Sequence, residues 1–469
     1  MTILCTTSQT ELHSESRLLN PLLRYDSFCK RYFHIKEGIL VPDPTIFKNI
    51  NAPITLTDST CLPDVAQCSA HLELLQAINH IRREVLNSTE LDTILDIKPQ
   101  KQTVIKNRGY PSQETIEVKD KGFAQRRQVK WPFYLRLGVA RFVVWLKKMD
   151  ETLASKENEA LEVPACPPLD VLIAWHSALL NPGWFRKYCE THEIMRMRRV
   201  LFPWSKIHQC INTEDWSFSL PSSARDNFRD LTGQEADLLA YLLSPKPEVY
   251  TALLFVYRDS APTNRLYLRK LDLLRLKKIE KPPHSAFAAS CYAAAHPDTD
   301  ATYLFAAIER QRVFVDKMVG YLWIRSPGVH GTLSRAITRY EHFLELFKLR
   351  PGTILVPTLD IDLAWHTHQC SASMYEASME QRAGRFINHD DTIPSGVLRT
   401  QSDETSVLFR EHFGLEYHVC LCWECQAIQS AVDEWNDDRE VDFEKLAEKV
   451  VEDLASHRVL ELNRREQMR

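Results

Sequence analysis

The residues best suited to chemistry lie in the segment VPTLDIDLAWHTHQ at 356–369. Asp362 and His366 are four residues apart, so on a helix they share one face. His368 lies about 200° around the same helix from His366, so both histidines can bind one ion only if the helix ends there. Carboxylate and imidazole groups are metal ligands and acid–base catalysts. The segment therefore predicts a metal or acid–base site, with no catalytic residue assigned.

Further metal-ligand types follow downstream. Residues 388–391 read NHDD and residues 418–425 read HVCLCWEC. Cys422 and Cys425 have the two-residue gap that lets both sulfurs reach one zinc ion, but no second CxxC completes a four-cysteine site. His389, His368, His418 or Cys420 would have to supply the other ligands. The predicted zinc ligands are His366, His368, His389, Cys422 and Cys425.

Two alternatives to zinc remain open at the cysteines. They could be small buried residues at a helix start. They could also form a redox pair, although no thioredoxin-like βαβ pattern accompanies them.

A second signal is an internal repeat. Residues 168–176 read PLDVLIAWH and residues 358–366 read TLDIDLAWH. Each copy follows a proline, which predicts a helix start, and each histidine falls on the stripe of core-facing residues. The first copy should stop at Pro182 and the second near 371–373. The motif residues of interest are Asp170, Trp175, His176, Asp360, Asp362, Trp365 and Asp390.

The alternative for His176 and His366 is structural. Each would be a buried imidazole that binds a backbone carbonyl or the motif aspartate, and the tryptophans would be core anchors. The second copy has extra polar groups, since Asp362 replaces Leu172 and His368 replaces Ala178. The chemistry is therefore expected in the second copy.

Periodicity elsewhere predicts a mainly α fold with few or no strands. Helical patterns recur in AHLELLQAINHIRREVLN, FYLRLGVARFVVWLKKM and LSRAITRYEHFLELFKL. A short apolar run, YTALLFVYRD at 250–259, is the one candidate strand, and 98–130 reads as a polar linker. Four segments are predicted: an N-terminal helical segment with the linker (1–130), the first repeat unit (131–245), the second unit (246–425) and charged terminal helices (426–469).

Composition narrows the function classes. The chain has 469 residues, a formal charge of −4 and 44% hydrophobic residues, which is typical of a globular protein. No apolar run approaches a membrane span, and the start lacks a signal-peptide pattern, so a cytoplasmic or nuclear address with reduced cysteines is expected. The basic stretch 265–281 reads as a solvated helix face, which disfavours nucleic acid as a partner. The terminal charged helices are a candidate surface for a protein partner.

The strings VPTLDIDLAWHTHQ and NHDD resemble the glycine-rich domain-containing protein (GRDP-like) family, and CLCWEC resembles its fungal branch. The matching motif positions are Asp360, Asp362, Trp365, His366, His368, His389 and Asp390. The resemblance implies a helical region over roughly 130–430 and no agreed activity. It weakens RNA binding, because the chain lacks the glycine-rich tail and any RNA-recognition motif of the plant members.

Three functions follow as hypotheses. The first is an intracellular binding or regulatory protein with a structural zinc site that joins the second copy to the CxxC loop. The second is a metal-dependent enzyme acting on a small molecule, and the third is an RNA-binding protein. Four ligands closing the site would mean a structural ion, whereas three ligands facing a pocket would mean catalysis.

Overall fold

The computed structural model describes residues 38–51, 62–95, 97–107, 113–118, 120–153, 161–244, 249, 285–435 and 442–468. Over these residues the predicted mainly α fold is confirmed. The N-terminal elements are α1 (Val65–Asn87), α2 (Thr89–Ile94), β1 (Gln102–Asn107), β2 (Gln113–Val118) and α3 (Phe123–Arg127). The first unit contains α4 (Lys130–Thr152), α5 (Leu169–Leu179), α6 (Pro182–Thr191), α7 (Trp204–Cys210), α8 (Ser222–Thr232) and α9 (Leu238–Leu243). The later helices are α10 (Ala286–Ala295), α11 (Thr299–Tyr321), α12 (Val329–Leu349), α13 (Leu359–Gln369), α14 (Ala372–Ala383), α15 (Ser395–Phe413), α16 (Trp423–Asp433) and α17 (Phe443–Gln467).

The linker predicted at 98–130 is wrong in part, because it contains a β-hairpin and α3. Strands β1 and β2 pair antiparallel, with Val104 opposite Ile116. Both strands are rich in the β-branched residues that favour extended backbone. Six residues per strand are too few, and too mixed with polar side chains, for a clear two-residue alternation. Two other predicted features, the candidate strand at 250–259 and the basic stretch at 265–281, lie outside the described residues.

The centre of the fold is α5, which carries the first LDxxxAWH copy. Every residue from Leu169 to Leu179 is buried. Helix α4 packs along it, and Gly138 permits the close approach, because a Cβ there would lie 3.1 Å from the Asp170 carbonyl oxygen. Helices α12 and α13 also pack against each other. As predicted, both motif helices start beside a proline, and they end at Leu179 and Gln369, close to the predicted breaks.

Each motif aspartate is bound by an arginine of the preceding long helix. Arg141 Nε donates to Asp170 Oδ2 at 2.6 Å, and Arg339 Nε donates to Asp360 Oδ2 at 2.7 Å. The first pair is almost fully buried, and the second is slightly more exposed. The motif aspartates therefore hold the helices together and are not available to the histidines.

Both arginines also hold the chain that follows a later helix. Arg141 donates to the carbonyl oxygens of Glu235 and Ala236, and Arg339 donates to those of Glu416 and Tyr417. These carbonyls follow α8 and α15. In each unit one guanidinium thus fixes three elements.

The ends of α8 and α15 are alike in detail. Each helix is closed by a glycine with positive φ, Gly233 at 70° and Gly414 at 67°. That left-handed conformation favours glycine at a helix C-terminus. Beyond the glycines, Glu235 pairs with Arg229 and Glu416 pairs with Arg410. The similarity between the two parts of the chain therefore extends beyond the LDxxxAWH motif.

The charged pattern at 426–469 is typical of exposed helices, but the inner face of α17 is buried. Glu461 is fully buried and binds Arg325 and Arg464. Leu454 and Val459 on the same helix are also buried. The alternating charges mislead because several of them pair with one another in the interior.

No helix among the described residues is long and apolar enough to cross a membrane.

Candidate metal centre

Three side chains of the second unit converge on one point. Asp362 Oδ1 lies 3.2 Å from His366 Nε2 and 3.8 Å from His389 Nε2. The two imidazole Nε2 atoms are 3.3 Å apart. Asp362 and His366 come from successive turns of α13, as their spacing predicted, and His389 comes from the loop after α14. The arrangement is a triangle of one oxygen and two nitrogen donors that could hold a metal ion.

The site lies just below the surface. The His366 side chain is 2% exposed, His389 12% and Asp362 21%, so the shielding is weakest on the aspartate side. Asp362 Oδ1 itself is buried and accepts no hydrogen bond from the described residues. The ring of Phe314 lies against His366, with centroids 4.4 Å apart. A buried carboxylate oxygen without a hydrogen bond is costly, which marks this point as a place for a cation.

Burial also shifts the protonation of the three groups. It raises the pKa of Asp362 to about 7. It lowers the pKa of His366 well below its usual value, and the neighbouring His389 adds to that effect. Burial likewise lowers the pKa of His389, although Asp391 and Asp390 oppose the change. Neutral imidazoles keep the lone pairs that metal binding requires.

Several contacts place the loop that carries His389. The first runs through Tyr375, whose hydroxyl accepts a hydrogen bond from Trp365 Nε1 at 2.9 Å and donates to the Ile387 carbonyl at 2.8 Å. In the first unit the position of Tyr375 is taken by Phe185, and the indole nitrogen of Trp175 has no hydrogen-bond partner within the described part of the chain. The hydroxyl therefore gives the second unit an anchor that the first lacks.

The other contacts come from outside the second motif. Asn388 Oδ1 accepts a hydrogen bond from the Gly183 amide, at the start of α6, at 2.9 Å. Asp391 binds Arg310 of α11 at 2.8 Å and Gln311 at 3.2 Å. Residues on both sides of His389 are thus held by other helices, one of them in the first unit.

Gly183→Ala is expected to weaken metal binding about 10-fold or more, the typical effect of losing a residue that orients a ligand. A Cβ at Gly183 would lie 2.6 Å from Asn388 Oδ1, so the side-chain amide of Asn388 must move. The hydrogen bond that holds the loop is then lost. Zinc affinity measured by chelator competition checks this result. Gly396→Ala is the control, because a Cβ there meets nothing within 4 Å. An unchanged affinity in Gly183→Ala would show that this contact does not position His389.

A second histidine pair lies beside the centre. His176 Nε2, from the first motif, is 2.9 Å from His71 Nε2 of α1. His71 Nδ1 is 2.8 Å from Thr367 Oγ1, and that hydroxyl donates to the Leu363 carbonyl. Thr367 must therefore accept from His71 Nδ1, so His71 Nε2 accepts the proton of His176. Burial lowers the pKa of both imidazoles, which favours their neutral forms. Together they join the first motif to Thr367, the neighbour of His366.

The remaining predicted residues have other partners. His368 Nδ1 is 3.0 Å from the Tyr340 hydroxyl and is not among the converging donors. Asp390 accepts hydrogen bonds from the backbone and side chain of Thr392. Trp175 and Trp365 are buried, as expected of core anchors.

The cysteines form a separate group. Cys420, Cys422 and Cys425 have sulfur atoms within 4.8 Å of one another, and Cys420 Sγ lies 3.3 Å from Cys422 Sγ. Four of the predicted zinc ligands thus fall into two separate sets of donors, His366 with His389 and Cys422 with Cys425, and His368 belongs to neither. The sequence shows which side chains can bind zinc but not which of them meet in space.

Sequence reasoning did not identify His71, Gly183 or Arg310 as part of this region. His71 lies 105 residues from His176 along the chain. His71 does not break the hydrophobic pattern of the amphipathic helix α1. Its closeness to His176 is therefore visible only in the tertiary packing.

Comparisons with known proteins support the resemblance over part of the chain. Residues 258–378 match the family model described as glycine-rich domain-containing protein-like. The chain is 33% identical over 124 residues to glycine-rich domain-containing protein 1 of Arabidopsis thaliana, which is 24% of this chain and 14% of that protein. It is 39% identical over 93 residues to glycine-rich domain-containing protein 2 of the same plant, which is 18% of this chain and 12% of that protein.

The matched parts are therefore a small fraction of these relatives. No solved structure is significantly similar to the chain. The matched segment includes Asp362 and His366 and ends before His389, and the assignment to a fungal branch stays a prediction. The predicted resemblance is confirmed for this segment: residues 258–378 are similar to the glycine-rich domain-containing protein-like family.

Proposed function

We propose that the chain is a metal-binding protein in which Asp362, His366 and His389 hold a divalent transition-metal ion. The observation that carries the proposal is the convergence of one carboxylate oxygen and two Nε2 atoms at 3.2, 3.3 and 3.8 Å. Donors bound to zinc at about 2.0–2.1 Å in a tetrahedron are separated by about 3.4 Å. The three measured separations bracket that value.

Zinc is the first candidate for the ion. Two histidines and one carboxylate are a donor set of catalytic zinc sites, and non-haem iron uses the same set. Zinc binding requires neutral imidazoles and an ionised carboxylate. Burial already keeps both imidazoles neutral, and the charge of the ion would reverse the raised pKa of Asp362.

The number of protein ligands decides how the ion would be used. Three donors leave at least one position for water or another molecule, and the partial exposure of the Asp362 side chain supports an open position on the solvent side. A structural zinc is usually closed by four protein ligands. The proposed role is therefore binding of a small molecule through the ion, in place of a structural zinc that joins α13 to the CxxC loop.

A metal-dependent enzyme is the second candidate function, and the same open position favours it. A metal ion with a free position lowers the pKa of bound water and polarises an oxygen atom of a substrate. Both candidates need the open position. The open position is tested by adding azide to the cobalt-loaded Cys422→Ser variant. A change in the visible cobalt spectrum is expected. An unaltered spectrum would mean a closed site.

The two units are proposed to descend from one duplicated helical unit. The support is the pairing of Arg141 with Asp170 and of Arg339 with Asp360, together with the matching helix ends at Gly233 and Gly414. Only the second unit has Asp362 and the tyrosine-anchored loop. In the first unit the motif histidine, His176, binds His71. The metal centre would then be an addition to the second copy.

Elemental mass spectrometry on untagged protein, washed with chelator and reloaded with zinc, tests the metal centre. His366→Ala and His389→Ala are each expected to lose about one ion per chain relative to the parent. His368→Gln is the matched control, since His368 lies on the same helix with its Nδ1 near Tyr340. Circular dichroism confirms that each variant is folded. Equal zinc content in the parent and both ligand variants would rule out the centre.

A further inference from the structure

The loop before α16 offers a second set of metal donors, of a different chemical kind. Cys420, Cys422 and Cys425 place three sulfur atoms within 4.8 Å of one another. Thiolates are soft ligands that favour zinc and copper(I) over the hard cations that prefer oxygen. Three convergent thiols at the surface are thus unlike the other described cysteines, which are buried.

The backbone around these cysteines is fixed before any ion binds. Trp323 Nε1 donates to the Leu421 carbonyl at 2.9 Å, and Trp423 Nε1 donates to the Tyr321 carbonyl at 2.7 Å. Gln426 Nε2 donates to the Cys420 carbonyl at 2.7 Å. Both indoles are buried, so the loop is pinned to the end of α11 and to α16 itself. Preorganised donors reduce the entropy lost when an ion binds.

Burial raises the pKa of the free Cys422 thiol, so an ion has to displace its proton. Two neighbouring features would stabilise the negative charge of the site once it is loaded. Cys422 is the N-cap of α16, an 11-residue helix, and the positive end of a helix dipole stabilises thiolate. Arg458 of α17 binds Glu424, which brings a guanidinium to the same turn. The net charge of three thiolates on a divalent ion is −1, so both features would stabilise the loaded site.

We propose that Cys420, Cys422 and Cys425 form a thiolate zinc site that is separate from the Asp362–His366–His389 centre. Three sulfur ligands leave the fourth tetrahedral position to water or an external ligand. Cys420 is exposed, so the ion can exchange with solvent and with other thiols. Each cysteine binds as thiolate, and the displaced protons go to solvent, so affinity should rise with pH.

Cobalt(II) in place of zinc gives a direct test, because sulfur bound to cobalt produces a charge-transfer absorption in the near ultraviolet. The oxygen and nitrogen donors of the other centre cannot produce this band. Reduced full-length protein is expected to develop it on addition of cobalt, and zinc should abolish it. Cys422→Ser should lose the band while keeping the start of α16, since serine is a favoured N-cap.

Cys291→Ala is the control, because Cys291 is a buried cysteine of α10 and should leave the band unchanged. Cys420→Ser and Cys425→Ser should each weaken cobalt binding at least 10-fold. Two results overturn the proposal: no band in reduced, folded protein, or a band that persists in Cys422→Ser. His389→Ala should keep the band, so failure of the Asp362–His366–His389 centre would be seen separately.

Discussion

Arg141→Met is expected to lower the free energy of unfolding by about 3–5 kcal/mol, the usual effect of removing one partner of a buried ion pair. Asp170 is 3% exposed and would keep an unpaired charge in the interior. The carbonyls of Glu235 and Ala236 would lose their donors as well. Urea unfolding followed by circular dichroism measures the change.

Two further variants test whether loss of the buried ion pair causes the lower free energy of unfolding. Arg141→Met combined with Asp170→Leu should recover part of the loss, because no buried charge remains, although the two carbonyls stay without their donor. Arg339→Met should cost less than Arg141→Met, since the Arg339 side chain is 11% exposed and water can reach the pair. If Arg141→Met unfolds at the same urea concentration as the parent, the buried pair does not stabilise the fold.

The buried histidines are expected to make the metal-free protein less stable in acid well above the usual pKa of carboxylates, while the raised pKa of Asp362 acts in the opposite direction. Burial lowers the pKa of His176 from 6.5 to about 4 and lowers that of His71 well below its usual value. Between pH 6.5 and about pH 4, His176 binds a proton in the unfolded chain but not in the folded chain, so the free energy of unfolding falls as pH falls through this range. His176 alone should cost about 2 kcal/mol between pH 7 and about pH 5.

Urea unfolding at a series of pH values, with chelator present, checks this result. His176→Gln keeps a donor for His71 but cannot titrate, so its stability should depend less steeply on pH by about that amount. His330→Gln replaces an exposed histidine of α12 and should leave the slope unchanged. Equal slopes in the parent and His176→Gln would show that His176 is not buried as a neutral imidazole.

Local patterns in the sequence predicted part of the candidate site. The spacing of four residues between Asp362 and His366 places both on one face of α13, and the distance of 3.2 Å confirms it. Prolines marked the starts of both motif helices. These inferences succeed because helix geometry relates residues only a few positions apart.

Long-range packing decided the rest. His389 reaches α13 because Tyr375, Gly183 and Arg310 hold its loop, and no local pattern joins those residues. The sequence combined histidines and cysteines into one zinc site, because ligand types are visible along a chain but distances are not. The arginine contacts to carbonyls after α8 and α15 were missed because backbone acceptors leave no trace in the residue types.

The complete burial of α5 also determines how fast its amide hydrogens exchange with deuterium from the solvent. Every residue from Leu169 to Leu179 is covered by other elements. Amide hydrogens in such a helix exchange only when the surrounding structure opens as a whole, whereas those at helix ends exchange through local fraying. The amide exchange rate of α5 therefore reports how often the whole fold opens. A slower rate after addition of an ion would measure how much the bound ion stabilises the closed fold.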